Sequence, residues 1–271
     1  MATPIPSSTP PPVPAKTLVN VSTRVQVQNG DSVLIGGFIV TGDKTKNVVL
    51  RAIGPSLTAA GIQGALADPE LELYNSAGKL IASNDNWTSL APDTVPDGLA
   101  PTDPGEAFIA AALEPGQYTA VLRGTNGTVG VGLFELYDID AQSSRVSNIS
   151  TRGLVESGDG AMIAGFIIGG EDPTKVIVRA IGPSLAAAGV SDALLDPSLE
   201  LRDSEGSLVF SNNNWRSDQE AQLIESNLQP SNNKESAIIA TLVPGNYTAT
   251  VRGVGGTTGV ALIEVYNLDG P

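Results

Sequence analysis

The chain has 271 residues, 41% of them hydrophobic, and a formal net charge of −14. That length accommodates two ordinary domains, each with its own core, and the charge argues against nucleic acid or an anionic membrane surface as partner, since both need cationic patches. Cys and His are absent, which removes disulfides, thiolate catalysis, zinc–thiolate sites and Ser-His-Asp chemistry, and leaves carboxylates, Lys, Tyr and hard metal ions.

Residues 1–16 are Pro-rich, with Pro4, Pro6, Pro10, Pro11, Pro12 and Pro14. Such density forbids helix and regular ladder pairing and favours polyproline II. The segment reads as an extended arm, either free or laid on another molecule. No run of eighteen apolar residues follows it, so no membrane span is expected.

From residue 17 onward short strands are expected, separated by turn residues. Val33–Val40 and Val48–Ile53 are rich in β-branched residues, with the turn cluster Thr41-Gly42-Asp43-Lys44 between them. Gly54 to Gly61 reads as a short helical piece that Ser56 would cap. Leu71–Tyr74, Leu80–Ala82, Ala107–Leu113, Tyr118–Leu122 and Val131–Tyr137 complete the strands. Leu113-Glu114-Pro115-Gly116 suits a type II turn, with the glycine expected at positive φ.

The series then repeats. Asn20-Val21-Ser22-Thr23-Arg24 returns as Asn148-Ile149-Ser150-Thr151-Arg152, and Arg51-Ala52-Ile53-Gly54-Pro55-Ser56-Leu57 as Arg179-Ala180-Ile181-Gly182-Pro183-Ser184-Leu185, both 128 residues later. Trp87 and Trp215 keep that offset; Gly116 and Gly245 stand 129 apart, so one residue entered between Trp215 and Gly245. Even strand spacing with Gly/Pro turns gives an all-β expectation: two tandem antiparallel β-sandwich, jelly-roll-like domains over residues 17–140 and 145–271, with residues 1–16 as the arm. A short link would hold the two in a preferred orientation. Each domain would present sheet edges that must be covered or used.

Two stretches of each repeat carry a resemblance. Asp68-Pro69-Glu70-Leu71-Glu72-Leu73-Tyr74 leads to Gly78-Lys79-Leu80-Ile81-Ala82-Ser83-Asn84-Asp85, and Pro115-Gly116-Gln117-Tyr118-Thr119-Ala120-Val121 leads to Gly130-Val131-Gly132-Leu133-Phe134-Glu135-Leu136-Tyr137. This pattern resembles the bacterial pre-peptidase C-terminal domain family, small β-sandwiches appended to exported proteins. The resemblance implies export, a sandwich fold and a non-catalytic role, and supplies no catalytic residue.

Asn84-Asp85-Asn86 precedes a loop holding Asp93, Asp97 and Asp103, an oxygen-rich setting that can hold Ca2+. The second copy, Asn212-Asn213-Asn214, has lost the carboxylate, and a plain Asn/Asp turn is the alternative. Trp87 and Trp215 either stack on a sugar ring or pack back onto the sandwich. Arg51, Arg123, Arg179 and Arg252, with Glu72, Glu135, Glu200 and Glu264, are expected to face outward as cross-strand ion pairs. The expectation is therefore a non-enzymatic extracellular or cell-surface protein without a cofactor, a self-assembling filament or surface-layer subunit forming a homo-polymer through arm and edges. The alternative is an accessory module of a larger secreted enzyme, binding a cell-surface glycan or calcium.

Overall fold

The computed structural model describes residues 17–139 and 145–269. The arm, with Pro4, Pro6, Pro10, Pro11, Pro12 and Pro14, lies outside the described residues. The first repeat contains β1 (Thr17–Val27), β2 (Leu34–Thr41), β3 (Lys46–Ile53), β4 (Pro69–Asn75), β5 (Leu80–Asn84), β6 (Ala107–Leu113), β7 (Gly116–Gly124) and β8 (Gly130–Asp138). The second contains β9 (Arg145–Val155), β10 (Met162–Gly169), β11 (Thr174–Ile181), β12 (Pro197–Arg202), β13 (Leu208–Asn212), β14 (Ser236–Leu242), β15 (Gly245–Gly253) and β16 (Gly259–Asn267). A six-residue helix, α1 (Glu220–Glu225), lies between β13 and β14. Alternation builds the strands: in β1, Val21, Thr23, Val25 and Val27 are buried while Ser22, Arg24 and Gln26 are half-buried.

The strands pair antiparallel along two eight-stranded paths. One runs β5-β4-β7-β2-β9-β16-β11-β14 and the other β13-β12-β15-β10-β1-β8-β3-β6. A bridge between Gln26 and Leu154 links the paths into one sixteen-stranded system. The paths face each other as a sandwich-like pair, and a single apolar cluster fills the space through both repeats, with Val21, Phe38, Leu50 and Phe134 from the first and Ile149, Phe166, Val178 and Ile263 from the second.

Pairing therefore crosses the repeat boundary. The β1 and β2 edges, which a free-standing first repeat would expose, pair with β10 and β9 of the second repeat. The two junctions are equivalent: Val21 stands opposite Phe166 and Ile149 opposite Phe38, each residue shifted by 128 to its counterpart. Such reciprocity is the signature of a two-fold relation. The axis passes where a residue meets its own counterpart, and there Thr23 Oγ1 donates to Thr151 Oγ1 at 2.9 Å, both side chains buried. The ring pairs Phe38–Tyr118 and Phe166–Tyr247, with centroids 5.5 and 5.7 Å apart, flank the junction in matching positions.

One core pair shows how the copies have diverged together. A methyl group on Gly36 would lie 2.6 Å from the Phe134 ring. In the second repeat the corresponding residues are Ala164 and Ile263, a larger residue facing a smaller one. Gly36→Ala is expected to lower stability by about 1–3 kcal/mol through overpacking. Gly36→Ala with Phe134→Ile should cost less than the sum of the two single changes, by about 1 kcal/mol or more, as a double-mutant cycle from urea melts would show. Simple additivity would refute this contact.

Candidate functional site

Each repeat holds a fully buried carboxylate that the sequence reading did not single out. Glu106 Oε1 accepts hydrogen bonds from the Gly54 amide at 3.1 Å, the Ser56 amide at 3.0 Å and the Ser56 hydroxyl, and Oε2 accepts from the Asp103 amide at 3.4 Å. Glu235 repeats this with the Gly182 amide at 3.2 Å, the Ser184 amide at 3.0 Å, the Ser184 hydroxyl and the Asn232 amide at 3.1 Å. Both glutamates are 0% exposed. A buried carboxylate is tolerable when its lone pairs are filled by donors in this way. Ser56 thus serves the buried Glu106 instead of capping a helix. Gly54 and Gly182 are required because a side chain there would strike the carbonyls of Leu66 and Leu194. The offset from Glu106 to Glu235 is already 129, so the inserted residue lies between Trp215 and Glu235.

The Asn-x-Asn-Trp segments complete the same knot. Asn84 is buried; its Oδ1 accepts from the Phe108 amide at 2.9 Å and its Nδ2 donates to the Asn86 carbonyl at 3.1 Å. Asn212 repeats both bonds with Ala237 and Asn214. The Asn84 amide is thus committed to the backbone, while Asp85 is exposed and Asn86 half-buried. Among the described residues no three acidic side chains gather as metal ligands would. Trp87 donates from its indole nitrogen to the Asp103 carbonyl at 2.9 Å and Trp215 to the Asn232 carbonyl at 3.1 Å. Trp215 is 1% exposed and packs with Ile177, Leu223 and Ile239, so its ring is a core element and offers no sugar platform. Trp87 is half-buried.

Three of the four arginines, Arg51, Arg123 and Arg179, make the predicted cross-strand ion pairs, and two of these pairs are enclosed. Arg51 pairs with Glu135 at 2.5 Å, donates to Tyr137 Oη at 2.8 Å and reaches the Leu99 carbonyl at 3.0 Å. Arg179 does the same with Glu264, Tyr266 and the Leu228 carbonyl. The segments before β6 and β14 fold over these strands and shield what alternation alone would leave open to water. Burial, with the neighbouring glutamate charge, pushes the Tyr137 and Tyr266 hydroxyls up to about 12. Arg123 pairs with Glu72 as expected. Arg252 does not pair with Glu200, because Arg202, standing where the first repeat has Tyr74, takes that carboxylate at 3.0 Å and leaves Arg252 exposed.

Lys46 and Asp138 form a further buried ion pair at 2.5 Å in the first repeat. The second repeat has Thr174 and Asn267 there, and the buried Thr174 hydroxyl has no hydrogen-bond partner among the described residues.

Two grooves open on the first repeat. A groove of about 330 Å3 is lined by Asn29, Glu70, Arg123 and Asn126 among others. Another, of about 390 Å3, runs along the outer edge of β6 past Ala110, Ala111, Ala112, Thr94 and Ile139. In the second repeat the corresponding edge is closed: the Gln219 side chain donates to the Ile239 carbonyl and accepts from its amide, both at 2.8 Å, and Leu223 of α1 packs against Ile239.

No family model matches the chain, and no curated protein matches it. Among solved structures it is similar to a DUF4785 family protein from Legionella pneumophila, at 8% identity over 97% of this chain and 88% of that one, with a TM-score of 0.25. It is also similar to PNGF-II, at 15% identity over 94% of this chain and 57% of that one, TM-score 0.25. A third is PNGase F, a glycosylasparaginase from Flavobacterium meningosepticum, at 11% identity over 94% and 97% of the two chains, TM-score 0.25. Likeness at this level carries no functional argument. Among the described residues no helix is long and apolar enough to cross a membrane.

The buried groups give two expectations. Glu106→Ala leaves several enclosed N–H groups without an acceptor and should destabilise by about 3 kcal/mol or more, with Glu106→Gln losing less. Urea melts decide it; a change under about 1 kcal/mol would show the carboxylate to be dispensable. The tyrosines give a pH dependence. A hydroxyl whose pKa is raised on folding stabilises the native state below the ordinary value near 10 and loses that contribution as pH climbs toward 12. Ultraviolet titration of tyrosinate should therefore show Tyr137 and Tyr266 ionising late, with stability falling above about pH 10.

Proposed function

We propose that this chain is a non-enzymatic structural protein of the cell exterior, a scaffold subunit that assembles with copies of itself through sheet edges and the Pro-rich arm. The strand orders β1-β8-β3-β6 and β2-β7-β4-β5 within the first repeat, and their counterparts in the second, support reading each repeat as a jelly-roll-like sandwich. The observation that carries the proposal is the junction. Two copies of one module join here by reciprocal strand pairing, β1 with β10 and β9 with β2. The module is therefore suited to edge-to-edge association, and the same chemistry is available at strands with one neighbour, such as β5, β6 and β13.

The most prominent repeated polar motif supports the same reading, because Arg-Ala-Ile-Gly-Pro-Ser-Leu is occupied with folding: its Arg is tied into an ion pair and its Gly and Ser hold a buried glutamate. The resemblance to pre-peptidase C-terminal modules adds export. A second reading, an accessory module for a cell-surface glycan, draws on the polar groove at Asn29, Glu70, Arg123 and Asn126.

Negative-stain imaging and mass photometry of the full chain test the proposal. Particles larger than a monomer are expected, with assembly reduced when residues 1–16 are deleted. A full-length chain that stays strictly monomeric at every concentration would overturn it, and a positive glycan array would then favour the second reading.

A further inference from the structure

We infer that the outer edge of β6 is the seat of the Pro-rich arm, residues 1–16. The inference rests on the reading of that arm as a joining element, and it adds where the arm binds.

The contrast between the repeats points to this edge. Ile239 in β14 stands opposite Ile177, as Ala110 in β6 stands opposite Val49, so Ala110 turns its amide and carbonyl to the same outer side as Ile239. In the second repeat Gln219 satisfies both groups. The matching stretch of the first repeat, Leu90-Ala91-Pro92, has no amide side chain. Among the described residues nothing caps Ala110, and Ala110 and Ala112 are exposed where Ile239 is 6% exposed. What replaces Gln219 and α1 is the groove of about 390 Å3, floored by three alanines and flanked by Thr94 and Ile139. An uncapped edge over a shallow apolar floor is a docking surface for an extended segment.

The arm suits that surface chemically. Polyproline II leaves its carbonyls free, and prolines bring no N–H groups of their own. In the stretch Pro10 to Pro14 only Val13 has an N–H, so such a segment can accept from the outward amides of Ala110 and Ala112 while bringing a single donor of its own. Its stiffness lowers the entropy lost on docking. The geometry suits it as well. Asn20, Tyr137, Val49 and Ala110 form one row of cross-strand partners. Three strand spacings, about 15 Å, separate the strand into which the arm leads from the groove. Sixteen residues in polyproline II reach about 50 Å. The groove is within reach of the arm of the same chain.

Absence of Cys allows a clean test. The full chain is prepared with Val13→Cys and Ala112→Cys, and separately with Val13→Cys and Thr241→Cys, the equivalent position on β14. Under mild oxidation the first pair should form a disulfide roughly tenfold faster than the second, through the high effective concentration of a docked arm. Equal rates, or no bond in either, would overturn the inference. A bond within one chain supports the groove while removing arm exchange from the proposed function; a bond between chains supports both. Hydrogen exchange of unsubstituted protein guards against an artefact of the cysteines. The Ala110 and Ala112 amides should exchange about tenfold faster once residues 1–16 are deleted, and unchanged exchange would count against the docked arm.

Discussion

The rest of the structure depends on the reciprocal pairing of β1 with β10 and β9 with β2. It turns two homologous modules into one sheet system with one continuous apolar cluster. A strand edge exposes unpaired backbone donors and acceptors that must meet something. Here the edge of each copy meets the edge of the other. The Thr23–Thr151 hydrogen bond marks the symmetry axis of that arrangement. It contributes about 1 kcal/mol by itself, small beside the two ladders it sits between. It shows that the junction is built from equivalent surfaces of the two repeats.

The buried glutamates explain why the most recognisable stretch of the sequence looks like a motif. Gly54, Ser56 and Glu106, and their counterparts Gly182, Ser184 and Glu235, must be present together, since the carboxylate needs both amides and the hydroxyl, and the close approach to Leu66 or Leu194 needs glycine. Beside it the Asn-Trp knot fixes the start of β6 or β14. Where the repeats differ, the differences are coupled: Gly36 with Phe134 becomes Ala164 with Ile263, and Lys46 with Asp138 becomes Thr174 with Asn267. Gln219 and α1 close one edge that the first repeat leaves open.

Much of the fold is legible in the sequence because its signals are local. Alternation and turn residues locate seven strands of each repeat to within a few positions, and the duplication is visible without coordinates. The eighth, β1, has the same alternation at Val21, Thr23, Val25 and Val27. Its partners lie partly in the other repeat, and long-range pairing leaves no local trace. Residue type likewise located the ion pairs of Arg51 and Arg179 but not their enclosure, which depends on how the preceding loops fold. Glu106 and Glu235 carry no signal beyond their common offset of 129. Trp215 follows the packing alternative: it borders a polar loop in sequence and the core in space.

The central claim is that edge pairing makes the two repeats one cooperative unit. Each repeat has a single tryptophan, Trp87 or Trp215, so each can be watched alone. Trp87→Phe and Trp215→Phe variants are unfolded in urea and followed by fluorescence, which reports one repeat, and by circular dichroism, which reports both. The account predicts that within each variant the two signals change together in a single transition. Two separated transitions, with one repeat melting while the other persists, would contradict it.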